Sequence, residues 1–151
     1  MKTLKVGDSA PNFSAKDEQG NIISLTDYKG KKLVVFFYPK ASTPGCTVEA
    51  CNLNDNYERF QNQGYEILGV SADSAKRQSN FKNKYKFQYP LLADEDKTVI
   101  EAFGVWGPKK FMGRVYDGIH RVTFVINEEG IIVRVIDKVK TKAHAEQIFS
   151  N

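Results

Sequence analysis

The sequence is poor in the residue types that hold small or metal-dependent folds together. Its 151 residues include two cysteines, two histidines and one tryptophan. A chain of this length buries roughly 68–70% of the surface that its unfolded form exposes, so it needs no disulfide or metal to fold. Neither histidine has ligand spacing to the other or to a cysteine, which makes a metal site a weak interpretation.

Long apolar segments are also missing. The longest strongly apolar run, residues 33–38, is far too short to span a bilayer. The first eight residues lack the apolar segment of a secretory signal. We therefore expect a cytoplasmic protein without membrane association. Thiols stay reduced in that compartment, where a cysteine pair is more often catalytic than structural.

No region is dominated by charge of one sign. The net charge is +4, but the 22 basic and 18 acidic residues are interspersed. The densest basic run, residues 82–86, is typical of a solvated helix face. No nucleic-acid-binding signature accompanies the charge, so we expect no nucleic-acid partner. The sequence also lacks a phosphate loop, and we expect no metal, flavin, haem or nucleotide cofactor.

What is present is an alternation of strand and helix signals without repeats or linkers, which predicts one domain over residues 1–151. Continuous β-rich apolar runs predict buried strands. The alternation predicts an α/β fold with a mixed central sheet and helices on both faces, compatible with a thioredoxin-like fold. Strands are predicted at 22–25, 33–38, 65–71 and 91–92, a hairpin at 121–136 with its turn at 127–130, and helices at 44–63, 74–85, from 94 and from near 141.

The predicted helix at 44–63 begins directly before a cysteine. Thr43 is a good N-cap residue, and Pro44 suits the first helical position because its missing N–H costs nothing there. Cys46 then falls in the first turn, where free backbone N–H groups and the helix dipole favour a thiolate over a thiol. The same N–H groups could hold an oxygen of a bound substrate.

The remainder of that helix separates the two thiols. An apolar stripe directs Cys46 toward the sheet, whereas Cys51 is rotated by about 140° and lies off the stripe. Their Cα atoms would be roughly 8.5 Å apart in an intact helix, too far for a disulfide. A bridge between them therefore requires the first turns to unwind. The stripe consists of Cys46, Ala50, Leu53, Tyr57 and Phe60, and Glu49 is expected on the helix surface.

From the residues alone, other interpretations stay open. Cys46 and Cys51 could be two unrelated buried cysteines, since free cysteine is among the most buried residue types. A metal site would have to recruit His120 and His144, neither of which has ligand spacing. Residue types at 106, 111 and 112 predict packing rather than substrate contacts, and His120 is expected to be structural.

The segment 39–46 resembles the P-x-x-x-T-x-x-C active-site motif of the peroxiredoxins. With Cys51 included, it is similar to the Q-type branch, also called bacterioferritin comigratory protein. The resemblance extends along nearly the whole chain, so it is specific. Further matching blocks lie at residues 7–13, 104–107, 111–113 and 116–121.

The resemblance implies a thioredoxin-like fold and thiol-dependent reduction of hydrogen peroxide and organic hydroperoxides. It implies that Cys46 is the peroxidatic cysteine and Cys51 the intramolecular resolving cysteine. Thr43 would hydrogen-bond the peroxide, Arg121 would stabilise the thiolate and the transition state, and Pro39 would shield the pocket. The implied partners are a peroxide substrate and thioredoxin or a similar dithiol protein, and the implied assembly is a monomer.

Alternatives remain for each auxiliary role. Pro39 could merely end the strand, and Thr43 could only cap the helix. Without the resemblance, Lys40 or Arg114 would serve as well as Arg121. Two rival functions also stay open. A protein disulfide oxidoreductase is disfavoured because the C-x-x-C spacing is absent, and a redox sensor would be oxidised without efficient turnover.

Overall fold

A five-stranded mixed sheet, in the order β5-β4-β3-β8-β9, organises the chain. The computed structural model describes residues 1–150; Asn151, the last residue of the expected domain, lies outside them. Two small antiparallel hairpins, β1-β2 and β6-β7, flank the main sheet. The strands are β1 Ser14–Lys16, β2 Ile22–Ser24, β3 Lys32–Phe37, β4 Tyr65–Ser71, β5 Leu91–Ala93, β6 Trp106–Phe111, β7 Arg114–Ile119, β8 Val122–Ile126 and β9 Ile132–Ile136; the helices are α1 Pro44–Asp55, α2 Tyr57–Asn62, α3 Ala75–Tyr85, α4 Thr98–Ala102 and α5 His144–Phe149.

The central strand β3 is buried on both faces, as its continuous apolar run predicts. Leu33, Val35 and Phe37 point into one core cluster, and the alternate residues point into the other. Helices α1, α2, α3 and α5 contribute to the second cluster, whereas α4 packs in the first. The predicted mixed sheet with helices on both faces is therefore confirmed.

The topology positions the start of α1 beside one particular edge of the sheet. Strand β3 runs parallel to β4 and antiparallel to β8, and Phe37 pairs with Val122. The residue just before β8, Arg121, therefore lies next to the point where the chain leaves β3 and turns into α1. This adjacency depends on pairing between strand segments 85 to 93 residues apart, which is a tertiary contact.

The helix predicted at 44–63 is two helices rather than one. The break lies at Asn56, whose backbone (φ −104°, ψ 13°) departs from helical geometry. Its side-chain amide donates to the Asn52 carbonyl at 2.8 Å, one turn back. Asparagine competes for backbone hydrogen bonds in this way, which is why it is unfavourable inside helices. Gly64 follows α2 with φ +82°, in agreement with its predicted role as a stop.

Two other expectations differ from the structure. The helix expected from Asp94 begins at Thr98, and the Asp94 carboxylate accepts hydrogen bonds from two backbone amides in its first turns. The β6-β7 hairpin was not predicted, and its tip leaves Phe111 65% and Met112 86% exposed. The expectation that these two side chains pack in the core is wrong, because a two-stranded hairpin projecting from the sheet has no layer to cover them. Trp106, at the base of the hairpin, does pack against the core.

Candidate active site

Cys46 is held in the first turn of α1, as the sequence predicts. Pro44 occupies the first helical position, and the Cys46 side chain is only 1% exposed. Its sulfur accepts a hydrogen bond from Arg121 Nη2 at 3.2 Å. The sulfur therefore lies at the N-terminal turn of α1 with a guanidinium donor directed at it.

Arg121 connects that sulfur to a buried carboxylate. Its Nη1 donates to Glu49 Oε1 at 2.6 Å while its Nη2 contacts Cys46. A planar guanidinium can serve two acceptors at once through its fixed fork of donors. Gly45 leaves room for this approach, since a Cβ atom there would lie 3.4 Å from Arg121 Nη2.

Glu49 is the site residue whose burial was predicted wrongly from the sequence. It was expected on the helix surface, but its side chain is fully buried. Glu49 is three residues after Cys46 and therefore shares its helix face, which is the sequence signal that could have identified it. Burial raises the pKa of Glu49 to about 7, and the charge and hydrogen bond of Arg121 oppose that shift.

Thr43 takes the N-cap position of α1, but within residues 1–150 its side chain makes no capping bond. The hydroxyl instead donates to the Lys40 carbonyl at 2.8 Å. The alternative that Thr43 only caps the helix is therefore wrong. Its hydrogen is engaged, and the oxygen retains its capacity to accept a hydrogen bond.

Pro39 lies just beyond β3 and is partly buried. Tyr38 still donates its backbone N–H to the Val70 carbonyl, at 3.1 Å. Pro39 has no N–H to donate to a neighbouring strand, which agrees with the strand-ending interpretation. Ending the strand and shielding the pocket are compatible roles for Pro39. The residue belongs to the segment that leads from β3 into Thr43 and the start of α1.

Of the cations considered from the sequence, the structure brings Arg121 to the sulfur. Arg114 is exposed at the far end of β7, next to the hairpin turn, and Lys40 is exposed on the segment before α1. Within residues 1–150, no group of three or more His, Cys, Asp or Glu side chains is arranged to hold a metal ion. Over the same residues, no helix is both long and apolar enough to cross a bilayer.

The two cysteines are free thiols in one uninterrupted helix. Cys46 is buried, whereas Cys51 is partly exposed and packs at the margin of the second core cluster. Partial burial raises the pKa of the Cys51 thiol, and the negative charge of Asp55 raises it further. Cys51 therefore remains mostly protonated near neutral pH.

Comparison with known proteins agrees with this arrangement. The AhpC/TSA family profile matches residues 6–135. Peroxiredoxin Bcp of Escherichia coli is 47% identical over 150 residues, which cover 99% of this chain and 96% of the relative. The chain belongs to the peroxiredoxins, in their Bcp or Q-type branch. It is therefore a thiol-dependent peroxidase. Peroxiredoxin Bcp of Bacillus subtilis is 43% identical over 145 residues, with 96% of this chain and 92% of the relative covered.

Solved peroxiredoxin structures match the fold. Peroxiredoxin Q of Xanthomonas campestris superimposes with a TM-score of 0.87 at 37% identity, covering 96% of this chain and 92% of that one. The Xylella fastidiosa PrxQ structure reaches 0.91 at 32% identity, with 98% and 94% covered. The predicted thioredoxin-like peroxiredoxin fold is confirmed. Another similar structure is that of the Xanthomonas campestris bacterioferritin comigratory protein. It was determined for a study of the alkyl peroxide reduction activity of that protein.

The pKa of the Cys51 thiol can be measured in a Cys46→Ser variant, in which Cys51 is the remaining cysteine. Because burial and Asp55 raise the pKa of Cys51, its alkylation by iodoacetamide should be slow at neutral pH. The rate should increase with pH through a midpoint above the ordinary thiol value of about 8.5–9. In the control variant Asp55→Asn, made in the same background, the midpoint should fall. A Cys51 midpoint near neutral pH would contradict this assignment.

Proposed function

We propose that Cys46 is the nucleophile that attacks the peroxide and that Arg121 is the cation that assists it. The observation that carries this proposal is the 3.2 Å hydrogen bond from Arg121 to the Cys46 sulfur at the start of α1. The Cys46 thiolate attacks the terminal oxygen of the hydroperoxide, so that an S–O bond forms as the O–O bond breaks. The products are a sulfenic acid and an alkoxide or hydroxide, which takes up a proton.

Negative charge moves from sulfur to the leaving oxygen during this step. A preorganised donor at that position is typically worth about 2.7–4 kcal/mol. The guanidinium of Arg121 already faces the sulfur and remains charged at any working pH. It can therefore stabilise the thiolate before attack and the departing oxygen during it.

Thr43 orients the peroxide in this proposal. Its hydroxyl hydrogen is donated to the Lys40 carbonyl, which leaves its oxygen as an acceptor for the O–H of the hydroperoxide. Pro39 shields the same pocket from bulk water. Shielding has a chemical benefit, because charge stabilisation by donors is stronger where water is excluded.

Cys51 resolves the sulfenic acid in the second step. Its sulfur attacks the Cys46 sulfur, an S–S bond forms, the S–O bond breaks and water leaves. Both cysteines lie in the intact helix α1, five positions apart, so their Cα atoms are roughly 8.5 Å apart. A disulfide does not close over that distance, and the first turns of α1 therefore unwind before resolution.

The remaining proposals concern substrate, reductant and assembly. We propose hydrogen peroxide and organic hydroperoxides as substrates, in keeping with the alkyl peroxide reduction named for one similar structure. Thioredoxin or a similar dithiol protein restores the two thiols. The chain acts as a monomeric single domain in the cytoplasm.

The assignment of the nucleophile is tested by peroxide consumption with a thioredoxin system. Cys46→Ser should lose all turnover, because a hydroxyl ionises far less readily than a thiol. Cys51→Ser should be oxidised at the wild-type rate but should leave a long-lived sulfenic acid. Excess peroxide should then convert it to sulfinic acid, detectable by mass spectrometry. Sustained turnover by Cys46→Ser would refute the assignment.

Arg121 is tested by stopped-flow measurement of the second-order rate constant for peroxide. Arg121→Ala should lose about 2–4 kcal/mol of transition-state stabilisation, or roughly thirty- to a thousand-fold in rate. Arg121→Lys should recover little of it, since a point charge cannot serve sulfur and carboxylate together. Arg114→Ala, which removes an exposed arginine from the hairpin, is the matched control. A rate constant for Arg121→Ala within about threefold of wild type would remove Arg121 from the mechanism.

The unwinding step is tested by hydrogen exchange in the reduced and disulfide states. Amides at residues 45–53 should exchange faster after oxidation, because their helical hydrogen bonds are lost. Amides at residues 33–37 belong to the buried strand β3 and should stay protected in both states, which makes them an internal control. Identical exchange across residues 45–53 would show that the helix does not open and that the resolving thiol comes from another molecule.

A further inference from the structure

Behind Arg121, the second oxygen of the Glu49 carboxylate faces a buried histidine. Glu49 Oε2 is the one buried side-chain nitrogen or oxygen atom among residues 1–150 without a hydrogen-bond partner. It lies 3.5 Å from His144 Nε2, and both side chains are fully buried. Burial of a carboxylate oxygen without a hydrogen-bond partner costs free energy. We therefore expect a neighbouring group that compensates for it.

The tautomer of His144 follows from the atoms around its other nitrogen. The backbone N–H of Lys140 can only donate, and it donates to Gln147 Oε1 at 2.8 Å. The other end of the same amide, Gln147 Nε2, donates to the Lys138 carbonyl at 3.0 Å. These two bonds define which end of the amide is oxygen. His144 Nδ1 lies 2.9 Å from that oxygen and must therefore carry a hydrogen.

In neutral His144, the nitrogen that faces Glu49 is consequently the bare one. Its lone pair accepts a hydrogen bond from the Thr123 hydroxyl at 2.7 Å. When Glu49 is ionised, a carboxylate oxygen and an unprotonated imidazole nitrogen therefore face each other without a hydrogen between them. Nε2 has a single lone pair, so a proton enters this gap only when the Thr123 hydroxyl turns away from it. The proton then lies on Glu49 Oε2 or on His144 Nε2.

We propose that Glu49 and His144 share one proton, and that His144 is a positioning residue for peroxide reduction. With the proton in place, the pair is neutral as a unit, and the charge of Arg121 is available to Cys46. Without it, the Glu49 carboxylate competes with Cys46 for the same guanidinium. This inference rests on the proposed roles of Cys46 and Arg121 and adds a residue from the C-terminal helix α5 to their control.

The surroundings of the pair are consistent with a proton that moves near neutral pH. Burial raises the pKa of Glu49 to about 7. Burial also lowers the pKa of His144, and the positive charges of Arg121 and Arg134 lower it further, against the effect of the hydrogen bond that its Nδ1–H donates to Gln147. A shared proton makes the two residues titrate together. The charged or titratable groups that face them are Arg121 before β8, Cys46 on α1, Arg134 on β9 and Tyr89 before β5.

Proton sharing is tested directly on the wild-type protein by NMR of its imidazole nitrogens and carboxyl carbons. The chain has only two histidines, so His120 provides an internal control. We expect His144 in the Nδ1–H tautomer at high pH. On acidification, the signals of His144 Nε2 and of the Glu49 carboxyl carbon should shift together through one midpoint, because burial raises the pKa of Glu49 and lowers that of His144. Separate midpoints for Glu49 and His144, or an Nε2–H tautomer at high pH, would overturn the proposal.

The positioning role is tested by two variants that each imitate one protonation state. His144→Gln offers an amide N–H to Glu49 and so keeps the carboxylate ionised. Glu49→Gln replaces the carboxylate by an uncharged amide, whose oxygen still accepts a hydrogen bond from Arg121.

The second-order rate constant with hydrogen peroxide is measured from about pH 5.5 to pH 8.5. The ratio of wild type to His144→Gln should fall from about tenfold at low pH to near one at high pH, the effect of one pKa unit.

The ratio cancels any pH dependence that is unrelated to Glu49 and that both proteins share. Wild type should follow Glu49→Gln at low pH and His144→Gln at high pH. His120→Gln is the matched control and should keep a constant ratio to wild type. A flat ratio for His144→Gln would overturn the positioning role, even if NMR detects a shared proton. Failure of the assignment of Cys46 as the nucleophile would appear elsewhere, as turnover by Cys46→Ser.

Discussion

The hydrogen bonds of the Arg121 guanidinium join the parts of the molecule on which the chemistry depends. One nitrogen contacts the Cys46 sulfur at 3.2 Å and another contacts Glu49 at 2.6 Å. Both acceptors come from the same face of α1, so one side chain from the sheet edge aligns the first turn of the helix. The pairing of β3 with β8 brings Arg121 there. Any change that shifts this register would separate the cation from the sulfur.

Helix α1 has to satisfy two opposing requirements in this arrangement. Its middle is anchored by the Tyr89 hydroxyl, which donates to the Ala50 carbonyl at 2.7 Å. The Asn52 side chain adds bonds to the Lys142 carbonyl and the Ala145 amide in the C-terminal segment. These contacts hold Cys46 in a pocket while it is reduced. In the proposed cycle they also oppose the unwinding that a bond between Cys46 and Cys51 would require.

The sequence predicted much of the fold because its main strands are continuous apolar runs and its helix ends carry recognisable residues. Strand β4 and the helix after Ser74 have the predicted bounds, and the Ser74 hydroxyl accepts from the Arg77 amide as a cap should. The errors occur where local patterns are weak or misleading. Asn56 breaks a helix that looked continuous, and the β6-β7 hairpin lacks an apolar alternation. Glu49 was missed because a charged residue in an amphipathic helix usually faces solvent.

The sequence by itself determined that Cys46 lies in the first turn of a helix and that Cys51 is too far along that helix to bond with it. Both follow from local rules, namely the residues that start helices and a rise of 1.5 Å per residue. Only the tertiary structure decided which cation faces the sulfur and which histidine lies behind it. Arg121 and His144 are 75 and 98 positions from Cys46 along the chain. Strand pairing and helix packing bring them together, and neither leaves a signal in local sequence spacing.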